Sequence, residues 1–196
     1  MHPELAPRSF QAASSLRSSR IPCVTAVWIS LGVLVLGTVW LYNRLVHLRN
    51  KTRDAFGGID AQLKRRHDLV PNIVATVKAY AAHEREALEA VTEARAGAQA
   101  ATALPAVGLA ETGLGQAIGG LLGLVERYPE LKADASFRKL HDELVEVEDA
   151  IQYARRYYNG AVRDYNTACE QFPTNLVAGV FGFEPREFFE LEENQR

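Results

Sequence analysis

Phe137, Leu140, Leu144, Val147, Ile151, Ala154, Tyr158, Ala161, Tyr165, Ala168 and Phe172 follow one another at alternating steps of three and four residues. A strand repeats every second residue and a helix about every 3.6, so this spacing marks one stripe of one helix, about five heptads long. Asp134 or Ser136 supplies an N-cap, and Pro173 stops the helix because proline cannot continue one. Asp142, Glu143, Glu146, Glu148 and Asp149 form an acidic solvent face over its first half. A helix this long must lay its apolar stripe against other helices, which points to an all-α chain.

A second feature precedes it. Ile21 to Tyr42 contains no charged residue. At about 1.5 Å per residue its length suffices for a hydrocarbon core of about 30 Å, and Trp40 and Tyr42 stand where an interfacial aromatic belt lies. The run is too long for a cleaved signal peptide, and no small-x-small cleavage site follows it. Cys23 precedes the apolar run, which excludes a lipoprotein. The expectation is an uncleaved, single-pass transmembrane helix over residues 21–42, behind a polar, disordered segment over residues 1–20. Arg17 and Arg20 flank one side, whereas Arg44, Arg49, Lys51 and Arg53 flank the other, which favours a cytoplasmic C-terminal domain. Cys23 and Cys169 are far apart in the pattern, so no disulfide is expected. A net charge of −2 argues against a nucleic-acid partner.

From Asn43 the chain becomes amphipathic. Leu45, Leu48, Thr52, Phe56, Ile59 and Leu63 share a face, and Gly57-Gly58 interrupts it. Seven basic residues between Arg44 and Arg66 meet only Asp54 and Asp60. They read as a solvated face that sets topology, with contact to anionic lipid heads as the alternative. His67 to Pro71 reads as a helix junction, Asp68 being the N-cap and Pro71 a first-turn proline. A second helix then runs to about Arg95 with Ile73, Val77, Tyr80, Leu88 and Val91 in one stripe. Residues 96–113 read as a weakly structured loop. A third helix, roughly Glu111 to Arg127, carries Gly115, Gly119 and Gly123 at the spacing that lets helices pack closely. With no convincing strand, residues 43–183 are expected to form an antiparallel four-helix bundle. Phe181, Phe183, Phe188 and Phe189 are set to cap its end, and residues 184–196 form an acidic tail.

Chemistry is harder to find. His83-Glu84 opens a zinc motif that would need histidine where Ala87 stands, and no E-x-x-H occurs. No metal, cofactor, nucleophilic pair or isolated acid–base pair is expected. Polar residues on or beside the seams remain: Arg66, His67, Asp68, Asn72, Tyr80, His83, Arg155, Tyr158, Asn159, Tyr165 and Asn166. Tyr-Asn recurs at 158–159 and 165–166, one heptad apart, so both pairs face the same way. They line a binding groove or form a buried hydrogen-bond network that fixes helix register; the network is the favoured reading.

Several long runs carry a resemblance. They are YNRLVHLRN at 42–50, IDAQLKRRHDLVPNIVATVKAYAAHE at 59–84, LEAVTEAR at 88–95, YPELKA at 128–133 and YNGAVRDYNTACEQFPTNLVAGVFGF at 158–183. Phe137, Leu140, Glu143 and Leu144 add a further match. On these the chain resembles the LemA family. The resemblance implies a short N-terminal segment, one transmembrane helix and a cytoplasmic four-helix bundle, with no established activity or cofactor. It also implies association with bacterial membrane organisation, through a magnetosome-membrane member, and with membrane proteases. Phe56-Gly57-Gly58 departs from the family's usual Trp-Ser, and the glycine-rich third helix from a more alanine- and leucine-rich one. The expected function is a non-enzymatic interaction or scaffold module at the bacterial cytoplasmic membrane, with membrane proteins as partners. The alternatives are a hydrolase or ligand site around His67, Asp68 and His83, and anionic-lipid sensing through Arg44 to Arg66.

Overall fold

The computed structural model describes residues 23–189, which are helical with no strand among them. Its helices are α1 (Cys23–Tyr80), α2 (Arg85–Ala100), α3 (Leu104–Val125), α4 (Pro129–Ala133), α5 (Ala135–Glu170) and α6 (Thr174–Phe181). Residues 1–22, with the expected disordered segment and the start of the apolar run, lie outside the described residues, as does the end of the acidic tail from residue 190.

Two compact units divide at Val39 and Trp40. In the first, α1 exposes Val27, Trp28, Ile29, Val33, Leu34 and Leu36. Its apolar window is wholly unburied, and α1 is the one helix among the described residues long and apolar enough to cross a membrane.

In the second unit, α1 does not break where the sequence suggests. It runs through Gly57-Gly58 and through Pro71 without interruption, so the expected junction at His67–Pro71, with Asp68 as N-cap, is corrected. The reason is local. Proline in a helix removes the N–H that would bond the carbonyl four residues earlier, a loss of about 3 kcal/mol when nothing replaces it. Here that carbonyl belongs to His67, and it accepts from Nε of Arg95 on α2 at 2.7 Å. Both glycines are exposed and cost only propensity. The real break comes after Tyr80, where Glu84 accepts from Arg127 Nη2 and the Tyr128 hydroxyl, each at 3.0 Å.

Residues 96–113 are a second correction. Instead of a loop, α2 continues to Ala100 and α3 starts at Leu104, with proline in its first turn. Alanine favours helix strongly enough to override the scatter of small residues. Of the three α3 glycines at that spacing, Gly119 and Gly123 do not mediate close packing, since a Cβ there would meet nothing within 4 Å, whereas one at Gly115 would lie 3.8 Å from Nη1 of Arg66.

α5 follows its pattern closely. Asp134 caps it, accepting from the Phe137 N–H at 2.8 Å. Phe137, Leu144, Val147, Ile151, Tyr158, Ala161, Tyr165 and Ala168 are buried, whereas Phe172 lies beyond the helix and is exposed. Three clusters succeed one another along α5. The first joins Val70, Ile73 and Val77 of α1 to Leu88 and Val91 of α2, Leu114, Ile118 and Leu121 of α3, Leu131 of α4, and Phe137 and Leu144. The second joins Ala55, Ile59 and Leu63 to Val147, Ile151, Tyr158 and Phe189. The third joins Leu45 to Tyr165, Ala168, Cys169, Val177, Ala178 and Phe183. Each fully buried aliphatic side chain contributes about 1.5–3 kcal/mol relative to exposure.

Candidate functional site

The densest polar site lies where α1, α3 and α5 meet. Position 66 falls on the stripe that buries Leu63, Val70 and Ile73, so Arg66 enters the interior and is 3% exposed. Its Nη2 donates to the Glu111 carboxylate and to the Glu111 carbonyl oxygen, the latter at 3.0 Å. Its Nη1 donates to Oε1 of Glu148 at 2.8 Å. The neighbouring residue, His67, places Nε2 at 2.7 Å from Oε1 of Glu111.

Burial works against the charged forms here, and the partners win. Desolvation opposes ionisation of Glu111, but the His67 hydrogen bond and the Arg66 charge together hold its carboxyl below the ordinary carboxylate range. Burial likewise disfavours the Arg66 cation, and Glu148 and Glu111 more than restore it, leaving its pKa raised. An ionised Glu111 can only accept, so His67 carries its proton on Nε2. Both oxygens of Glu111 are then occupied, and so are both terminal nitrogens of Arg66. With Arg95 bonded to the His67 carbonyl, four helices are cross-tied around two adjacent residues.

A second set lies along α5. Asn159 and Asn166 each grip the backbone of the segment that follows α6. Asn159 donates to the Phe189 carbonyl at 3.1 Å and accepts from the Phe189 N–H at 2.9 Å. Asn166 does the same with Arg186, at 2.9 and 2.8 Å. Seven residues of helix and three of extended chain both cover about 10 Å, which is why a heptad repeat of asparagine can read residues 186 and 189 of a strand-like segment. Tyr158 joins them by donating to the Glu187 carbonyl at 3.0 Å. The buried Phe189 side chain fixes the end of the segment in the second cluster. Tyr165 is 1% exposed; burial, with a hydrogen bond to Cys169, pushes its hydroxyl up to about 12.

The other sequence-derived candidates are not brought together. Asp68, Asn72 and His83 are exposed, and Arg155 is half-buried on α5. From His67 to the end of α1 at Tyr80 is about 20 Å of helix, and His83 follows that end. Tyr80 is exposed and donates to Asp134 Oδ2 at 3.2 Å, tying the end of α1 to the cap of α5. Clefts at Lys78, Arg85, Glu89 and Thr92 and at Leu122, Phe137, His141 and Asp142 are lined by none of the eleven candidates. Among the described residues no three His, Cys, Asp or Glu side chains converge as a metal site would require.

Glu111, Glu148 and Arg95 did not figure among the sequence candidates. For Glu111 a signal existed: it is the one charged residue between Ala96 and Val125. A single carboxylate in so apolar a segment needs a cation from elsewhere in the fold. The partner's identity, Arg66, depended on which basic residue faced inward.

Residues 55–196 match the model of the LemA family. The protein LemA of Metamycoplasma hominis is 25% identical over 175 residues, covering 86% of this chain and 77% of that protein. Magnetosome protein MamQ 2 of Paramagnetospirillum magneticum is 36% identical over 81 residues, and MamQ of Magnetospirillum gryphiswaldense 32% over 80. Those matches cover 41% of this chain but only about 30% of either magnetosome protein. With the family model spanning well over half its length, this chain belongs to the LemA family.

Proposed function

We propose that this protein is a membrane-anchored interaction module that works by association and carries no reaction of its own. In this reading a single helix over residues 21–42 crosses a bacterial cytoplasmic membrane. An antiparallel four-helix bundle formed by α1, α2, α3 and α5 stands on its cytoplasmic side, and the partners are other membrane proteins. The observation that carries the reading is the internal use of the polar groups. Arg66, through its two terminal nitrogens, and His67 both bond to Glu111 or Glu148, with only Nε of Arg66 left unpartnered in this cluster, and Asn159 and Asn166 hold the chain's own backbone. A general acid or base must face its substrate, whereas these groups face each other and make the helices a rigid platform. The magnetosome names of the partial relatives fit a membrane setting.

The alternatives gather less support. A site built from His67, Asp68 and His83 needs groups that lie on different faces or beyond the end of α1. Lipid sensing by the basic stretch loses Arg66 to the interior, while Lys51 pairs with Asp164 at 3.1 Å and Arg65 with Glu146 at 3.3 Å.

The test is photo-crosslinking in cells from exposed positions 68, 72 and 83 of the full chain, followed by gentle solubilisation. A reproducible set of membrane-protein partners is expected. Turnover of a substrate by the purified full chain, with no reproducible partner, refutes the reading.

A further inference from the structure

Gln171 to Phe183 contains no charged residue, yet much of it faces outward. Phe172, Leu176 and Val180, each four residues after the last, are 74%, 61% and 81% exposed, and Phe181 is 53% exposed. Single exposed apolar side chains are ordinary; a contiguous charge-free patch marks a surface that is covered. On the adjoining α5, exposed Val145, Tyr153 and Tyr157 are interspersed with charged residues such as Asp142, Arg156, Arg163 and Glu170, so no charge-free patch forms there.

The opposite face of α6 tells where the patch sits. Val177, Ala178 and Phe183 pack with Leu41, Tyr42, Leu45 and Val46 of α1. The Tyr42 ring lies 4.9 Å from Phe181 and 5.6 Å from Phe183. Tyr42 is the last residue of the uncharged run. The six residues from there to Leu48 cover about 9 Å of helix, close to the thickness of a headgroup layer. Arg44 is exposed at this level, and half-buried Arg49 sits 5.1 Å over the Phe183 ring; with residues 21–42 in a bilayer, both cations would stand at the depth of the lipid phosphates.

We propose that α6 and Phe172 form a second, non-spanning membrane contact, with Phe172, Leu176, Val180 and Phe181 set into the acyl–headgroup boundary of the lipid bilayer. The proposal rests on residues 21–42 crossing the membrane. A bilayer suits this face better than a protein partner does. The patch adjoins the residues where the apolar run ends, and it carries no charge to fix a partner's register. Docked this way, α6 holds the first turns of α1 beyond Tyr42 at the membrane surface.

Depth-dependent quenching on the full chain in pure phospholipid vesicles tests this. Cys23→Ser and Cys169→Ala give a cysteine-free background. A fluorophore is then placed by Leu176→Cys or Val180→Cys, with Gln116→Cys at an exposed position of α3 and Leu34→Cys in the apolar run as references. Lipids brominated high on the acyl chain are expected to remove about half of the emission at 176 and 180 while sparing 116. Quenching at 34 with none at 176 or 180 overturns the α6 proposal and leaves the anchor standing. No quenching at 34 overturns both. Shielding of 176 and 180 in native membranes but not in pure lipid assigns the face to a protein partner and also overturns the proposal.

Discussion

Replacing Glu111 with glutamine keeps its size and removes the charge opposite a buried guanidinium. Removing one partner of a buried ion pair costs about 3–5 kcal/mol, because the other charge stays desolvated. Glu148 still holds Nη1 of Arg66 at 2.8 Å, but its side chain is 38% exposed and solvent weakens its field. We therefore expect the lower end, about 3 kcal/mol, from Glu111→Gln. For a domain of this size that lowers the melting temperature by about 6–12 °C, read by circular dichroism of the full chain in lipid nanodiscs. Glu148→Gln, at the half-exposed partner, costs about 1 kcal/mol or less. The combination Arg66→Met with Glu111→Leu removes both buried charges and recovers most of the loss. Acid extends the test. The folded-state pKa of Glu111 lies below its ordinary value of 4.5. Its contribution is therefore fully present above that value and disappears as pH falls through the folded pKa, so Glu111→Gln flattens this part of the acid limb. The account fails if Glu111→Gln costs no more than Glu148→Gln, or if the double apolar variant is as unstable as the single one.

Two further predictions concern the backbone. Arg95→Met strips the donor from the His67 carbonyl and costs about 1–3 kcal/mol; in a Pro71→Ala background the restored N–H takes that carbonyl and the cost shrinks to well under half. Equal costs in the two backgrounds, measured as a double-mutant cycle of thermal unfolding, contradict the explanation given for the proline. Asn159→Ala and Asn166→Ala each break two backbone hydrogen bonds, at about 1–2 kcal/mol per variant. Amide exchange at Phe189 should accelerate in the first and at Arg186 in the second, and unchanged exchange at both sites would show that the segment is held by Phe189 packing alone.

Much of the helical content was legible before any coordinates. The seam of α5 needs only period, and its members from Phe137 to Ala168 are buried or half-buried because a stripe this regular has one way to be buried. The Asp134 cap and the exposed apolar run beyond Val24 needed only local chemistry. Breaks were less legible. Pro71 marks a helix boundary in most sequences, and here a side chain from another helix cancels the penalty; no window around residue 71 contains Arg95.

The site divides along the same line. From the sequence alone came the α5 seam, the Tyr-Asn repeat and the expectation of paired polar groups, whereas Phe56 and Tyr80, read onto apolar stripes, are exposed. Which groups pair was decided by tertiary structure. Arg66 finds a carboxylate 45 positions away and Asn159 a backbone 30 positions away, and separations of that size carry no periodic signature. Sequence by itself determined a family, a set of helices and an apolar run fit to span a bilayer, because propensity and periodicity act within a few residues. Only the fold decided that His67–Pro71 is mid-helix and that the asparagines hold the chain's own end. It also decided that α6 turns an uncharged face outward beside Tyr42, since burial depends on neighbours that the local sequence does not name.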